Sequence, residues 1–225
     1  RICEQDWVLE NTSQDPFCGE WVEKGMLVPE WDSFMLDTTV FENKGKHFAV
    51  WAQKSPEKTE NSCLYLAEMS SPYELKFPVT LLSRPEFDWE CRGFKVNEGA
   101  AVLKRNGKIF ITYSASATDA TYCMGLLYAD ENADLTKAES WIKLEKPVLV
   151  TDEAAGIFGP GHNSFTTSRD GKTDYLVYHA RPYAEVDLAF ALYDPTVMHG
   201  LKKSGTTKKA SLFFSKSSVF RKNSK

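Results

Sequence analysis

The sequence lacks three features that would point to common classes of protein. It has no apolar run close to the roughly 20 residues that a membrane-spanning helix needs, so no membrane partner is expected. Its five cysteines are odd in number and without C-x-x-C spacing, which argues against a zinc site or a dense disulfide framework. A 3.6-residue apolar period is absent apart from a weak signal at residues 133–141, which argues against a helical fold.

A signal peptide is also not visible, although the chain begins at Arg1 rather than Met. Localisation therefore stays open between the bacterial cytoplasm and secretion.

Acidic residues are missing from one end of the chain. Residues 196–225 carry eight Lys or Arg and no Asp or Glu, whereas the preceding 195 residues hold 19 basic and 31 acidic groups. An acidic body of this kind indicates no nucleic-acid partner. The basic tail, residues 195–225, is predicted to be an atypical, disordered segment, and a phosphate-binding arm is the alternative.

A pattern of about 20 residues occurs three times, in residues 34–53, 94–115 and 158–180, so the repeat is about 60 residues long. Each copy runs from an aromatic residue through a polar residue to a glycine turn and then an aromatic-rich strand. The turn glycines lie 62 and then 64 residues apart, at Gly45, Gly107 and Gly171. Four-stranded units that repeat on this scale are typical of propeller blades, so we predict an all-β propeller, with a repeating sandwich as the alternative.

One polar residue precedes the turn in each copy. Asp37 lies eight residues before its glycine, and Glu98 and His162 each lie nine before theirs. Because the first strand of a blade lines the channel, these three residues should converge on one axial pocket. Two carboxylates and a histidine suit glycoside hydrolysis, in which one carboxyl group protonates the leaving oxygen and another acts on water or the anomeric carbon. A structural Glu that is hydrogen-bonded to blade backbone is the alternative.

The segments "FMLDTTVFENKGKHFAVWAQ", "NEGAAVLKRNGKIFITYSASATDATYCMGLLYAD" and "GPGHNSFTTSRDGKTDYLVYHARPY" closely resemble glycoside hydrolase family 43. Its members are five-bladed β-propeller enzymes that include α-L-arabinofuranosidases and β-xylosidases. The resemblance runs from residue 7 to 194 and implies a partial propeller catalytic domain over residues 1–194, of about three blade equivalents.

The activity implied is that of an inverting exo-glycosidase. It would release terminal α-L-arabinofuranosyl residues from plant cell-wall polysaccharides or oligosaccharides, such as those of xylan degradation. A β-xylosidase of the same family and a non-catalytic propeller that binds polysaccharide remain the alternatives.

The resemblance also implies roles for single residues. Glu98 matches the general acid, and Asp37 matches the aspartate that orients this acid and raises its pKa. His162 matches an axial histidine that in many members faces a calcium ion or its water shell, so calcium is an implied cofactor, held largely through water. Arg181 looks like an arginine that contacts the substrate near the pocket floor. Phe34 is predicted to stack against a sugar ring.

The chain departs from the family pattern in two ways that bear on activity. Ala100 stands where the family usually has proline after "NEG". The family's catalytic base, an aspartate, lies far upstream of Asp37, which has only 36 residues before it here. Asp6, Asp15 and Asp32 are predicted to be turn or surface residues. We therefore expect the chain to lack the first blade and to be inactive by itself.

Overall fold

The computed structural model describes residues 5–57 and 59–184 and the backbone of one strand at residues 212–215. Within these residues the regular structure is β-strand, with two short 3-10 turns at Asp88–Glu90 and Ala138–Ser140. This confirms the all-β prediction. No helix among the described residues is long and apolar enough to cross a membrane.

The strands form four separate antiparallel sheets that follow one another along the chain. The first has two strands, β1 (Trp7–Glu10) and β2 (Val22–Met26). The second has five strands: β3 (Leu36–Asn43), β4 (Lys46–Gln53), β5 (Cys63–Ser71), β6 (Glu74–Leu75) and β7 (Thr80–Ser83). The third has four: β8 (Asn97–Arg105), β9 (Lys108–Ala115), β10 (Cys123–Asp130) and β11 (Ile142–Lys143). The fourth has three: β12 (Phe158–Thr167), β13 (Thr173–Arg181) and β14 (Leu212–Ser215).

The last three sheets coincide with the three copies of the repeat. Each begins with an inner strand (β3, β8 or β12), and β8 lies against both β3 and β12. β14 falls within the range of the basic tail and pairs with β13. The remaining tail residues lie outside the residues that the structure describes, so the disorder expected for the tail stays a prediction.

Two-residue turns fix the register of the first two repeat hairpins. Lys44 and Gly45 join β3 to β4, with φ of 53° and 78°, and Asn106 and Gly107 join β8 to β9, with φ of 51° and 73°. Two left-handed residues in succession make a type I′ turn, whose twist matches that of the strands it connects. The third hairpin has a longer connection, residues 168–172.

The core lies between neighbouring sheets. Leu64 and Leu66 of the second sheet and Ile109, Ile111 and Leu127 of the third are fully buried in one hydrophobic cluster. This cluster covers the facing sides of the second and third sheets, as expected where sheets are stacked in layers. A second cluster packs against Val8 of β1 and includes Leu27, Met35, Trp51 and Tyr65.

A buried carboxylate ties the strands of the third sheet together. Glu90 is fully buried, and its two oxygens accept hydrogen bonds from five donors. These are Lys143 Nζ at 2.8 Å, Tyr113 Oη at 2.9 Å, and Asn97 Nδ2 and the backbone N–H groups of residues 86–87, each at 3.0 Å. A buried charge is tolerated only when it is paired and hydrogen-bonded in this way.

We expect Glu90→Ala to lower the free energy of unfolding by about 3–5 kcal/mol, because it strands a buried ammonium group and four other donors. Glu86→Ala is the matched control, since its largely exposed carboxylate contacts the same Lys143 Nζ at 3.2 Å. It should cost less than about 1 kcal/mol. Urea unfolding of both variants measures the difference, and equal losses would contradict the role given to Glu90.

Candidate active site

Each of the three inner strands carries a β-bulge near its start. In β3, Leu36 pairs with Ala52 and Thr39 with Val50, so two residues lie opposite one. The same shift occurs in β8 between Glu98 and Ala101 and in β12 between Gly161 and Ser164. The first residue of each bulge, here called the bulge residue, has a left-handed backbone: Asp37 at φ 57°, Gly99 at 59° and His162 at 45°.

The bulges correct the alignment of the three polar residues. Asp37 and His162 occupy equivalent positions, but the bulge residue of β8 is Gly99, and Glu98 lies one position before it, opposite Ser114. The prediction that all three share nearly the same place is therefore off by one residue for Glu98. Because successive residues of a strand face opposite sides, this offset decides where the Glu98 carboxyl group lies.

The three bulge residues meet at the junction of the inner strands. Asp37 Oδ2 accepts a hydrogen bond from the Gly99 N–H at 3.1 Å, and Asp37 Oδ1 lies 3.8 Å from His162 Nε2. A Cβ atom on Gly99 would lie 3.2 Å from His162 Cγ and Nδ1, so glycine leaves room for the ring. The structure thus brings Asp37, Glu98 and His162 together from three neighbouring sheets, as the repeat predicts.

Burial and charge both act on Glu98. Burial is the larger cause that raises the pKa of its carboxyl group, and the negative charge of Asp37 raises it further. The Tyr122 hydroxyl, which donates to Glu98 Oε1 at 2.6 Å, and the nearby His162 act in the opposite direction. The net shift is upward, so Glu98 keeps its proton to higher pH than an exposed glutamate does, which suits a proton donor.

Tyr122 is a site residue that the sequence analysis missed. It lies just before β10, its ring is buried, and it stacks on the His179 ring with centroids 5.8 Å apart. His179 also lies beside His162, with ring centroids 6.3 Å apart. Burial, together with the nearby His162 and Arg181, lowers the pKa of His179. A tyrosine ahead of an apolar strand carries no sequence signal that distinguishes it from a core residue.

Asp6 was predicted to be a turn or surface residue, and this prediction is wrong. Asp15 and Asp32 are exposed as expected, but Asp6 is half-buried and its carboxylate accepts a hydrogen bond from Thr38 Oγ1. Burial and the charge of Asp37 raise the pKa of Asp6, although the bonds from Thr38 oppose this. Its backbone carbonyl accepts from the N–H of Leu27, the residue after β2. Because Thr38 belongs to the bulge of β3, Asp6 lies beside that bulge.

Comparison with known proteins identifies the family. Residues 3–197 match the model of glycosyl hydrolases family 43. The chain belongs to this family. The resemblance read from the three repeat segments is thereby confirmed.

Curated members of family 43 are similar to the chain over most of its length. It is 50% identical over 180 residues to the extracellular exo-α-(1→5)-L-arabinofuranosidase of Streptomyces chartreusis. The matched region covers 80% of this chain and 55% of that protein. It is 47% identical over 182 residues to α-L-arabinofuranosidase 43 of Humicola insolens, covering 80% of this chain and 38% of the relative. The chain thus spans about half the length, or less, of these relatives.

A solved family 43 structure has the same architecture. The α-L-arabinofuranosidase of Lactobacillus brevis is 49% identical, with a TM-score of 0.78, over 80% of this chain and 56% of that one. The prediction of a five-bladed β-propeller, present here as about three blade equivalents, is confirmed. The second, third and fourth sheets are its blades, and β3, β8 and β12 are their innermost strands.

Arg181 and Phe34, the two predicted substrate contacts, lie on or next to strands of the blades that carry His162 and Asp37. Arg181 ends β13, opposite Phe158, and its Nη2 atom is buried without a hydrogen-bond partner among the described residues. A Cβ atom on Gly159 would lie 3.4 Å from this Nη2. Phe34 lies two residues before β3 and is half-buried. Their contacts with substrate stay predictions.

The residues around His162 supply few ligands for calcium. Calcium prefers six to eight oxygen ligands, whereas His162 offers a ring nitrogen and Asp37 is already hydrogen-bonded to Gly99. Within residues 5–57 and 59–184, no group of three or more His, Cys, Asp and Glu could hold a metal ion. These side chains alone do not fit a protein-coordinated calcium ion, and the calcium site stays a prediction.

We expect Gly99→Ala to destabilise the protein more than Gly107→Ala. Both glycines are left-handed, at φ 59° and 73°, so each substitution costs about 1–2 kcal/mol for the backbone. Only at Gly99 does the new methyl group press on the His162 ring, since nothing lies within 4 Å of a Cβ at Gly107. The added loss should be about 1 kcal/mol. Urea unfolding measures both, and equal losses would show that the ring moves aside without cost.

Proposed function

We propose that the protein is an inverting exo-glycosidase that releases terminal α-L-arabinofuranosyl residues from plant cell-wall polysaccharides or oligosaccharides. The observation that carries this proposal is the environment of Glu98, whose pKa is raised by burial and by the charge of Asp37. Its relatives' names favour arabinose, because those 47% and 50% identical are both arabinofuranosidases. A β-xylosidase is the second candidate, since the catalytic motifs are common to both activities.

Glu98 acts as the general acid in this proposal. Cleavage of a glycosidic bond leaves an alkoxide unless a proton reaches the leaving oxygen as the bond breaks. Glu98 is held in a partly buried site, and within the described residues its Oε2 accepts no hydrogen bond. The proton can therefore reside on Oε2, from which it is donated to the glycosidic oxygen.

Asp37 acts on Glu98 rather than on the sugar. One of its oxygens is held by the Gly99 N–H and the other faces His162, so the carboxylate is oriented by groups that adjoin Glu98. From this position its negative charge makes ionisation of Glu98 less favourable. Phe34 and Arg181 are proposed to contact the sugar. A calcium ion is proposed near His162, coordinated mainly by water. None of the steps given to Glu98 and Asp37 requires this ion.

The catalytic base is proposed to come from outside the described residues. An inverting site needs its two carboxyl groups about 6.5–9.5 Å apart, with water between them. Asp37 is hydrogen-bonded to the residue next to Glu98, and Asp6 accepts a hydrogen bond from Thr38, so both carboxylates are engaged by groups of the site itself. Activity is therefore best measured in the longest natural chain that contains residues 1–225.

We expect Glu98→Gln to lower kcat for arabinofuranosides with alkyl leaving groups by about 10²–10⁴-fold, because the general acid is lost. Aryl arabinofuranosides with good leaving groups need less protonation and should lose much less. Glu139→Gln, at an exposed position in the Ala138–Ser140 turn, is the control. Equal losses on both kinds of leaving group would contradict the general-acid role.

The sugar specificity is tested by assaying the wild-type protein on matched aryl arabinofuranosides and aryl xylosides. A preference for xylosides would favour the second candidate, a β-xylosidase.

We expect Asp37→Asn to move the alkaline limb of the pH–rate profile to lower pH. The general acid works while protonated, so activity is present below the pKa of Glu98 and is lost as pH rises through it. Removing the neighbouring charge lowers that pKa, while the Asn oxygen still accepts from the Gly99 N–H. Asp32→Asn, an exposed aspartate, should leave the profile unchanged. An unmoved limb with a lower rate would contradict the charge mechanism.

A further inference from the structure

Glu98 has a hydrogen-bond partner whose position is closely determined by the surrounding structure. Tyr122 is only 2% exposed, and its hydroxyl donates to Glu98 Oε1 at 2.6 Å. Gly161 makes room for it, because a Cβ atom there would lie 2.3 Å from Tyr122 Cε1 and 2.6 Å from Cδ1. The ring is also stacked on His179, with an interplanar angle of 15°. The ring therefore has little freedom to carry its hydroxyl away from the carboxyl group.

The direction of this hydrogen bond follows from the acidity of the Tyr122 hydroxyl. Burial and the charge of Glu98 both raise the pKa of Tyr122, so the hydroxyl keeps its hydrogen and donates it to Glu98 Oε1. Ser114 Oγ, which would lie 2.9 Å from a Cβ atom on Gly161, accepts from the His162 backbone N–H at 2.7 Å. The hydrogen bond of His162 and the ring of Tyr122 therefore both pack against Gly161.

We propose that Tyr122 is a positioning residue, which holds the Glu98 carboxyl group through Oε1 and leaves Oε2 as the oxygen that carries and donates the proton. The inference rests on the proposed role of Glu98 as general acid.

Tyr122 acts on Glu98 in the opposite direction to Asp37. A hydroxyl that donates to a carboxylate stabilises the ionised form, whereas a neighbouring negative charge destabilises it. Loss of the hydroxyl should therefore raise the pKa of Glu98, and the alkaline limb of the pH–rate profile should move to higher pH. A tyrosine that served only as packing would leave both unchanged, because phenylalanine fills the same space.

The test is Tyr122→Phe, with the pKa of Glu98 followed by carboxyl ¹³C NMR and with kcat and KM measured against pH. We expect a raised pKa, a shifted limb, and a kcat about 10- to 100-fold lower at the optimum with KM little changed, since the acid is less well aligned. Tyr113→Phe is the matched control. Tyr113 is also buried in the third sheet and donates to a buried carboxylate, Glu90, at 2.9 Å.

Gly161→Ala provides a second test that keeps the tyrosine. Its methyl group displaces the Tyr122 ring, so the pKa of Glu98 should rise as it does in Tyr122→Phe. An unchanged or lowered Glu98 pKa in either variant would overturn the proposal, and so would an equal rise in Tyr113→Phe. If the wild-type protein releases no arabinose, the proposed function fails, but a rise in the NMR titration would still support the positioning by Tyr122.

Discussion

A left-handed residue at the start of each inner strand is the constraint on which the site depends. Glycine adopts this backbone easily, but Asp37 and His162 do so at a cost of about 1–2 kcal/mol each. The strain is offset where it arises, because the His162 N–H bonds to Ser114 and the Asp37 carboxylate to the Gly99 N–H. Without the bulges these groups would lie in regular ladders, and the three strands could not bring them to one point.

The sheets that carry the bulges are held in place by ion pairs that involve other residues than Asp37, Glu98 and His162. Glu90 joins the strands of the third sheet, and the partly buried Arg105 of β8 in that sheet pairs with the buried Asp174 of β13 in the fourth sheet. Such pairs add little net stability but fix relative geometry, because a misplaced partner would leave a buried charge unpaired. Glu98 lies on β8, which carries Arg105, and His162 lies on β12, which is paired with β13. The pairs therefore help to maintain the ångström-scale placement that the proposed proton transfer requires.

The sequence was sufficient to predict the strands, the tight turns and the three residues that meet at the axis. These signals are local: alternation, an Asn-Gly turn and a motif. Counting back from the turn glycines aligned Glu98 with His162. The longer connection of the third hairpin shifts that count by one residue, and the bulges show that His162 is equivalent to Gly99 instead. Tyr122 and Asp6 could not be predicted, because their roles come from neighbours brought near by folding: Glu98 for Tyr122, and Thr38 for Asp6.

The proton on Glu98 is controlled by groups from three blades. Burial between strands and the charge of Asp37 favour the protonated form, while the Tyr122 hydroxyl and His162 favour the ionised form. A general acid works best when its pKa lies near the working pH, since it must both hold the proton and release it. Opposed influences can set such a value, whereas burial alone would raise the pKa of Glu98 further. Because Asp37 and His162 reach Glu98 only through their bulges, the backbone conformation and the acidity of Glu98 are parts of one arrangement.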